Sequence, residues 1–513
     1  MSFDLSTRIN EIIRIDPDAP ALNADDRWRA WSYLSRAVDE LDAFLSAHAV
    51  GRDARVGIVM RNRPEIVRAL IAMLATRRCV VTLSPMAPRE ALLEETDRLG
   101  LPAVLVGERD WGTGDLATVA SAAGSHVIEV RDDTGAGGPV VGRIAVPTCA
   151  ARGAPTASGV AVQMLTSGTT GPARRTDLTY HGLSRELAAT SPPGQLDQAR
   201  LRTGTAVSWA PMVHIGGLRA VIAAVVAGRR LAMLEKFEIG PWRRLLTRHR
   251  PRVISLVPTA LRMVYDADVP RGTFDSVQVV MCGTAPVTPE LVDAFERRYG
   301  VAVLTMYGAT EFGGVAGWTL ADWRRYRAAK RGSVGRPNPG VSVRVVDADT
   351  GTVLEPGRDG LLEVTGGQAG TDWVRTTDRA RLDHDGFLWI LGRADDVIIR
   401  GGFKVSLTGL REVLLAHPGV RDAVVIGVPD ERLGQVPVTV VEVPDGLVSA
   451  NDLVDHVARR LPRYQVPVDI RVLDALPRTP SMKPDGAAIR ALFEPTAAST
   501  DPRSREVEPS HGN

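Results

Sequence analysis

The chain has 513 residues, and this length predicts two or more domains because a single hydrophobic core seldom grows so large. An apolar fraction of 44% and a charged fraction of 24% are ordinary for a soluble globular protein. The net charge of +2 excludes a strongly basic chain, so neither nucleic acid nor an anionic membrane surface is an expected partner.

Neither a targeting segment nor a cysteine-based site is expected. Residues 1–8 lack the basic and then apolar pattern of a signal peptide, and the longest apolar patch, residues 220–227, is too short to cross a bilayer. Cys79, Cys149 and Cys282 are widely spaced and form no CxxC pair, which argues against disulfides and structural zinc. We therefore predict a cytoplasmic protein without a transmembrane segment.

Short runs rich in Val and Ile alternate with helix-length segments, and this alternation predicts an α/β fold. Strands are expected at residues 54–60, 253–257, 277–281 and 302–306. Residues 64–74 carry apolar side chains at helical spacing, so a helix is expected there.

From about residue 340 the pattern changes to alternating strands, at 341–346 and 361–364, followed by a hairpin that turns at Asp385-Gly386. A smaller αβ pattern begins after residue 394. Its expected helices are 410–415 and 453–461, and its expected strands are 423–428 and 438–443. Residues 494–513 are polar and contain little to bury, which predicts a disordered tail.

The most informative motif is Leu165-Thr-Ser-Gly-Thr-Thr-Gly171, which follows the apolar run 160–165. A strand that opens into such a loop offers free backbone N–H groups and hydroxyls, and these groups hold phosphate oxygens in proteins. The alternative is a flexible linker, although linkers seldom follow a buried strand. The motif is not a Walker A loop, because no Gly-Lys-Ser/Thr follows it.

This loop resembles the phosphate loop of the superfamily that contains acyl-CoA synthetases, peptide-synthetase adenylation domains and luciferases. Seven further motifs resemble those of the superfamily and occur in the same order. They are Trp31-Ser-Tyr33, Pro211-Met-Val-His214, Cys282-Gly-Thr-Ala-Pro286, Tyr307-Gly-Ala-Thr-Glu311, Asp378 with Gly392-Arg393, Arg400-Gly-Gly-Phe-Lys-Val405 and Pro477-Arg-Thr-Pro-Ser-Met-Lys483. The resemblance covers residues 10–493, and eight motifs in order are very hard to obtain by chance.

The resemblance implies a large N-terminal AMP-binding domain, residues 1–394, of stacked α/β sheets with a small β-barrel-like part. A small, mobile α+β domain, residues 395–493, follows it. The implied enzyme is an acyl-CoA ligase of specialised metabolism, which joins a carboxylic acid to ATP as acyl-AMP. CoA then displaces AMP to give the thioester, and Mg²⁺ assists. A homodimer, common in the superfamily, is compatible with the sequence.

The resemblance also assigns the nucleotide site. ATP or AMP would be bound by Thr166, Ser167, Gly168, Thr169, Thr170, Gly171, Arg174, Gly283, Thr284, Ala285, Tyr307, Gly308, Ala309, Thr310, Asp378 and Arg393. In this assignment Asp378 accepts the ribose hydroxyls and Arg393 donates to them. Glu311 and Thr166 would hold Mg²⁺ between the phosphates, since Mg²⁺ takes few protein ligands plus phosphate oxygens.

The implied catalytic residues are Lys483, His214 and Glu311. Attack on the α-phosphate builds negative charge, which the mobile ammonium of Lys483 would stabilise. His214 would lie beside the acyl carboxylate, with Gly216 and Gly217 leaving room for a bulky acyl group. The CoA side would use Gly401, Gly402 and Lys404, and Asp395 would be the hinge between the adenylating and thioester-forming poses.

Several positions depart from the superfamily pattern. Ala173 and Arg174 replace a proline and a lysine after the phosphate loop, and Leu407, Gly409 and Arg411 replace a proline and glutamates. Thr284, Thr377 and Met482 each replace a glycine, mostly on the side that faces ATP. These three residues add bulk, so they put the adenylation step in question.

Four functions are therefore open. The leading one is a complete acyl-CoA ligase, and the second is an enzyme that only transfers CoA onto an acyl-AMP supplied by another enzyme. The third is loading of a carrier protein in trans. The fourth is a non-catalytic nucleotide-binding regulator, against which retention of Glu311, Asp378, Arg393 and Lys483 speaks. The sequence does not identify the acid.

Overall fold

The computed structural model describes residues 3–87, 89–111, 115–132, 138–149, 156–166, 174–192, 194–394, 396–401, 403–444 and 448–494, without the side chains of residues 115, 166, 174 and 404. The chain divides into two compact units. The larger unit ends at Leu391 and includes Pro480–Met482, and the smaller unit begins at Gly392. The mixed α/β class with a large N-terminal part and a small C-terminal part is confirmed.

The larger unit is built on twenty strands and twelve helices in its described residues. The strands are β1 (Pro20–Ala24), β2 (Arg27–Ala30), β3 (Arg55–Val59), β4 (Cys79–Leu83), β5 (Ala103–Val106), β6 (His126–Val130), β7 (Val141–Ala145), β8 (Val160–Thr166), β9 (Arg174–Thr179), β10 (Arg202–Ser208), β11 (Arg229–Met233), β12 (Val253–Ser255), β13 (Val279–Cys282), β14 (Ala302–Ala309), β15 (Gly313–Gly317), β16 (Arg336–Pro337), β17 (Val341–Val346), β18 (Asp359–Gly366), β19 (Val374–Leu382) and β20 (Leu388–Arg393). The helices are α1 (Leu5–Ile12), α2 (Trp31–Ala47), α3 (Pro64–Ala75), α4 (Arg89–Leu99), α5 (Glu108–Trp111), α6 (Asp115–Ala122), α7 (Tyr180–Thr190), α8 (Ile215–Val226), α9 (Ile239–His249), α10 (Pro258–Asp266), α11 (Pro289–Tyr299) and α12 (Leu320–Tyr326).

A seven-stranded sheet with the order β7-β6-β5-β3-β4-β8-β9 is parallel except at its two edge strands. Its parallel strands β3, β4, β5, β6 and β8 are rich in Val, Ile and Leu and are largely buried, as parallel strands covered by helices on both faces are. Helix α3 is buried along its whole length and α8 along most of its length. Both are apolar on nearly every face, which is typical of helices inside a large core.

A second sheet, β10-β11-β1-β2, carries the strand that leads to α8. A third, β12-β13-β14-β15-β16, is parallel from β12 to β14 and then turns antiparallel. The fourth sheet, β17-β18-β19-β20, occupies the region where the small β-barrel-like part was expected. Pairing is antiparallel from β17 to β19.

The smaller unit is one mixed sheet with helices packed on it. Its elements are β21 (Val397–Arg400), β22 (Phe403–Ser406), α13 (Leu407–Leu415), β23 (Asp422–Asp430), β24 (Gly434–Glu442), α14 (Ala450–Ala458), β25 (Asp469–Leu473) and α15 (Gly486–Ala491). The strand order is β22-β21-β24-β23, with β25 parallel to β24. Leu410 and Leu414 of α13 and Leu453 and Val457 of α14 form its core.

No helix among the described residues combines the length and apolar character that crossing a bilayer requires.

The three cysteines provide a test of this packing. Burial raises the pKa of the Cys79 and Cys282 thiols to about 12, whereas Cys149 is exposed. A raised pKa leaves little reactive thiolate near neutral pH. At pH 8 we expect one fast-reacting thiol in the native protein and three in guanidinium chloride, measured with an aromatic disulfide reagent. A fast phase that persists in Cys149→Ser would contradict the burial of the other two.

Candidate active site

The motif Tyr307-Gly-Ala-Thr-Glu311 lies on a hairpin at one end of the third sheet. The sequence predicted a strand that ends at Met306, but β14 continues to Ala309 and pairs antiparallel with β15. A Cβ on Gly308 would lie 2.3 Å from the carbonyl oxygen of Gly313. Only glycine permits this approach, so the motif glycine is required by the hairpin itself.

Tyr307 meets the carboxylate predicted to hold the ribose. Its hydroxyl donates a hydrogen bond to Oδ2 of Asp378, which lies on β19 in the fourth sheet. The backbone N–H of Asp378 donates to the Thr376 hydroxyl at 3.0 Å, and that hydroxyl donates to the Leu362 carbonyl at 2.9 Å. The structure therefore brings together two predicted nucleotide-binding residues that are 71 positions apart.

The segment Gly283-Thr284-Ala285 lies beside the same end of β14. It follows β13, which runs parallel to β14 with Cys282 opposite Thr305. A Cβ on Gly283 would lie 2.5 Å from Cγ of Met306, so the absence of a side chain allows this contact. Ligands of α/β sheets bind at the carboxyl ends of the parallel strands, where this segment and Tyr307 are found.

Thr284 has a left-handed backbone conformation with φ of +74°. The superfamily glycine is replaced here, yet the glycine-like conformation is retained, at a cost of about 1–2 kcal/mol for a residue with a Cβ. Its side chain is exposed, and its Cγ2 would lie 4.0 Å from a Cβ on Gly216. Thr284 thus connects the nucleotide motif with the predicted acyl motif.

His214 is the N-cap residue of α8, and the predicted acyl-pocket glycines form its first turn. Beyond its own helix and chain neighbours, and among the described residues, a Cβ on Gly216 would meet one atom within 4 Å, Cγ2 of Thr284, so this position has space beside it. Gly217 differs, because a Cβ there would lie 2.3 Å from the carbonyl oxygens of both Ala210 and Pro211. Gly217 makes room for the chain's own backbone, whereas the sequence expected it to make room for the acyl group.

Glu311 lies between β14 and β15, and its side chain is exposed. Within the described part of the chain, its carboxylate makes no hydrogen bond and no ion pair. A hard oxygen donor of this kind, open to solvent, suits Mg²⁺, which takes one or two carboxylates plus phosphate oxygens.

Most of the predicted phosphate loop lies outside the described residues. The residues concerned are Ser167, Gly168, Thr169, Thr170 and Gly171. Thr166 and Arg174 are backbone partners across the antiparallel strands β8 and β9, at the edge of the seven-stranded sheet.

In the smaller unit, Gly401 has φ of +54° at the turn between β21 and β22, and its N–H donates to the Leu433 carbonyl at 2.8 Å. The backbone of Lys404 pairs opposite Ile399 on β21. Arg393 is the last residue of β20. The predicted hinge, Asp395, and Gly402 lie outside the described residues.

Lys483 closes a short loop in which the Thr479 N–H donates to its carbonyl at 2.8 Å, and its side chain is exposed. Arg478 anchors the base of this loop by donating to Asp422 at 2.8 Å and to Glu442 at 3.0 Å. Arg411 donates to the other oxygen of Asp422 at 2.9 Å. The superfamily has a glutamate at the Arg411 position, and here the arginine completes this ion network.

The comparisons with known proteins agree with this geometry. The model of the AMP-binding enzyme family matches residues 10–370, and that of the AMP-binding enzyme C-terminal domain matches residues 411–483. The chain belongs to the AMP-binding enzyme family. The superfamily resemblance seen in the sequence is confirmed.

Relatives of this AMP-binding enzyme include CoA ligases. A 2-succinylbenzoate–CoA ligase from Bacillus thuringiensis is 27% identical over 94% of the chain and 97% of its own length. A 4-coumarate–CoA ligase-like protein from Oryza sativa is 29% identical over 77% of the chain and 72% of its own length. Their names agree with the predicted enzyme class, an acid–thiol ligase.

Solved structures share the fold. ATP-bound MatB from Rhodopseudomonas palustris has a TM-score of 0.78 at 22% identity, covering 95% of the chain and 98% of MatB. The o-succinylbenzoate CoA synthetase MenE from Bacillus subtilis, in complex with its acyl-adenylate intermediate, has a TM-score of 0.73 at 24% identity, covering 95% and 98%.

Sequence reasoning missed the residues that fasten the β14–β15 hairpin of this AMP-binding enzyme. Glu186 on α7 is 4% exposed, accepts a hydrogen bond from the Gly314 N–H at 2.9 Å and pairs with Arg219 at 2.9 Å. Gln368 donates to the Thr310 carbonyl at 2.9 Å. A glutamate between the buried Leu183 and Leu187 of α7 was the available signal.

Replacing Thr284 with glycine should remove backbone strain. We expect Thr284→Gly to leave the free energy of unfolding unchanged or to raise it by about 1 kcal/mol, because glycine adopts this φ without strain but loses more entropy on folding. Thr377→Gly is the matched control, since Thr377 also replaces a superfamily glycine but lies in the extended strand β19. Thr377→Gly should lower the free energy of unfolding by about 1 kcal/mol. Urea denaturation measures the change for both variants. A loss at position 284 as large as that at 377 would contradict the strain.

Replacing Glu186 should loosen the hairpin. Glu186→Ala removes the acceptor for the Gly314 N–H and leaves Arg219 without its partner, so we expect a loss of about 3 kcal/mol in urea denaturation. The control is Asp39→Ala, which breaks an Arg14–Asp39 pair whose side chains are 43% and 66% exposed. An exposed pair of this kind should cost less than about 1 kcal/mol. Equal losses would show that Glu186 does not hold the hairpin.

Proposed function

We propose that this AMP-binding enzyme is a complete acyl-CoA ligase that makes its own acyl-adenylate. The observation that carries the proposal is the hydrogen bond from Tyr307 to Asp378, beside Gly283 and the β14–β15 hairpin. Tyr307 belongs to the motif assigned to adenine and Asp378 to the motif assigned to ribose, and this hydrogen bond joins the two. The named relatives, which are CoA ligases, support the same activity.

In the first half-reaction an oxygen of the acid's carboxylate forms a bond to the α-phosphorus of ATP. The bond from that phosphorus to the bridging oxygen breaks, and pyrophosphate leaves with the electron pair. We assign His214 to the acyl carboxylate, Asp378 and Arg393 to the ribose, and residues 166–171 with Arg174 to the phosphates. Lys483 stabilises the charge that builds at the α-phosphate. Mg²⁺, held by Glu311 with Thr166, would neutralise charge on the phosphate oxygens.

In the second half-reaction the CoA thiolate forms a bond to the acyl carbonyl carbon, and the bond to the AMP oxygen breaks. AMP leaves with the electron pair, and the thioester is released. We assign Gly401, Gly402 and Lys404 to CoA and Asp395 to the hinge that separates the two steps. We further propose that the reaction occurs in the cytoplasm and that the enzyme acts as a homodimer in specialised metabolism.

One observation favours a second candidate, an enzyme that only transfers CoA onto a supplied acyl-AMP. Thr284 has a β-branched side chain in a left-handed conformation beside Gly283, where the superfamily keeps the backbone bare. Such a side chain narrows the space next to the nucleotide motif, on the side that the superfamily resemblance assigns to ATP.

Two assays distinguish these candidates. The complete ligase should catalyse ATP–pyrophosphate exchange with at least one acid of a broad panel and should also form thioester from synthetic acyl-AMP and CoA. Thioester formation without exchange across the whole panel would select the CoA-transfer enzyme. Failure of both assays, with CoA and with a phosphopantetheinylated carrier protein, would reject both candidates.

Lys483→Ala tests the assignment of the adenylation step. We expect exchange to fall at least 100-fold, because the ammonium that stabilises the charge at the α-phosphate is lost, a term of the size found for oxyanion-type donors. Thioester formation from acyl-AMP should change by less than about threefold, since Lys483 is assigned to the adenylating pose and the new bond of the second step forms at the acyl carbon. Lys236→Ala is the control, because Lys236 is exposed and pairs only with Glu238 among the described residues. Exchange that survives in Lys483→Ala would show that the role of Lys483 is wrong.

A further inference from the structure

Asn62 is a buried polar residue that the site assignment does not use. It lies in the loop between β3 and α3, and only 6% of its surface is exposed. A buried amide must satisfy two N–H donors and one carbonyl acceptor, or it costs stability. The partners of Asn62 therefore indicate what the residue does.

The Asn62 side chain binds the backbone of two distant segments. Its Nδ2 lies 3.1 Å from the carbonyl oxygen of Trp209, 3.0 Å from that of Ala210 and 3.3 Å from that of Leu234. Its Oδ1 accepts a hydrogen bond from the Met212 N–H at 2.8 Å. One amide thus joins the end of the seven-stranded sheet to the segment after β10 and to the residue that follows β11.

The segment that Asn62 holds is the one that ends in His214. Trp209 is fixed from the opposite side, because its indole N–H donates to the Ser255 carbonyl at 3.0 Å. The His214 N–H donates to the Pro211 carbonyl at 3.0 Å, and Gly217 approaches the same carbonyl too closely for a Cβ. The position of His214 and of the first turn of α8 therefore follows from the path of residues 209–212.

We propose that Asn62 is the positioning residue of the acyl side of the site. By binding two carbonyls and one N–H of residues 209–212, and the carbonyl of Leu234 after β11, it determines where His214 and Gly216 lie. A displacement of about 1 Å at a reacting group can cost about 100-fold in rate even when the mutation is remote. The inference rests on the proposed function, since it assigns His214 to the acyl carboxylate.

The position predicts an effect on the acid and not on ATP. The nucleotide residues Tyr307 and Asp378 lie on β14 and β19, and neither they nor Gly283 forms a hydrogen bond with Asn62. In Asn62→Ala we expect kcat/KM for an activated acid to fall about 10- to 100-fold in ATP–pyrophosphate exchange. The KM for ATP should stay within twofold of the wild-type value.

Asn10→Ala is the matched control. Asn10 also uses its amide to bind backbone carbonyls, donating to Ser6 at 3.0 Å and to Ala75 at 2.9 Å, but it lies on α1. Both variants should lower the melting temperature, and only Asn62→Ala should alter the kinetics of the acid. Asn62→Ser retains one hydrogen-bond donor, so we expect an intermediate loss of kcat/KM for the acid. This variant replaces Asn62→Ala if the alanine variant does not fold.

Hydrogen–deuterium exchange tests the clamp without any activity. We expect the amides of Met212 and His214 to exchange at least tenfold faster in Asn62→Ala, and at the wild-type rate in Asn10→Ala. Unchanged hydrogen–deuterium exchange at these amides would overturn the proposal. Equal losses of kcat/KM for the acid and for ATP would overturn it as well. If the wild-type enzyme shows no ATP–pyrophosphate exchange with any acid of the panel, the proposed function is rejected. Hydrogen–deuterium exchange at the two amides would still decide whether Asn62 holds residues 209–212.

Discussion

The candidate nucleotide site depends on the hydrogen bond between Tyr307 and Asp378. This bond joins the third sheet, where parallel strands end in β14, to the antiparallel fourth sheet, where β19 carries the carboxylate. In the proposed assignment neither sheet alone forms the nucleotide site, since one supplies the adenine-side motif and the other the ribose-side acid. Glycines at 283 and 308 allow close approaches within the third sheet, to Met306 and to the Gly313 carbonyl.

The residues that perform the proposed chemistry are held by residues that do not take part in it. Glu186 and Gln368 hold the β14–β15 hairpin, Asn62 holds the segment before His214, and Arg478 holds the base of the Lys483 loop. In each case a polar side chain binds backbone or a carboxylate far away in the sequence. This division lets the reacting groups stay exposed to ligands while their backbones stay fixed.

Local signals in the sequence predicted the helix at Pro64–Ala75, the change to antiparallel strands near residue 340 and the motif glycines. They failed where distant contacts decide the outcome. The strand β14 runs past Met306 because β15 pairs with it, and no local pattern reports that pairing. Gly217 was expected to leave space for a ligand, but the carbonyls of Ala210 and Pro211 fill that space. Asn62 and Glu186 carried no motif, because the backbone groups that they bind lie more than one hundred residues away.

The left-handed backbone at Thr284 and Met482 shows that the surrounding chain, and not the local residue, sets the path at these positions. A side chain can therefore be gained or lost at either point without rerouting the backbone. A substitution at such a position changes the shape of the space nearby without changing the backbone path, and a second substitution restores that shape. A family with this property can adjust which ligand fits while its fold stays constant.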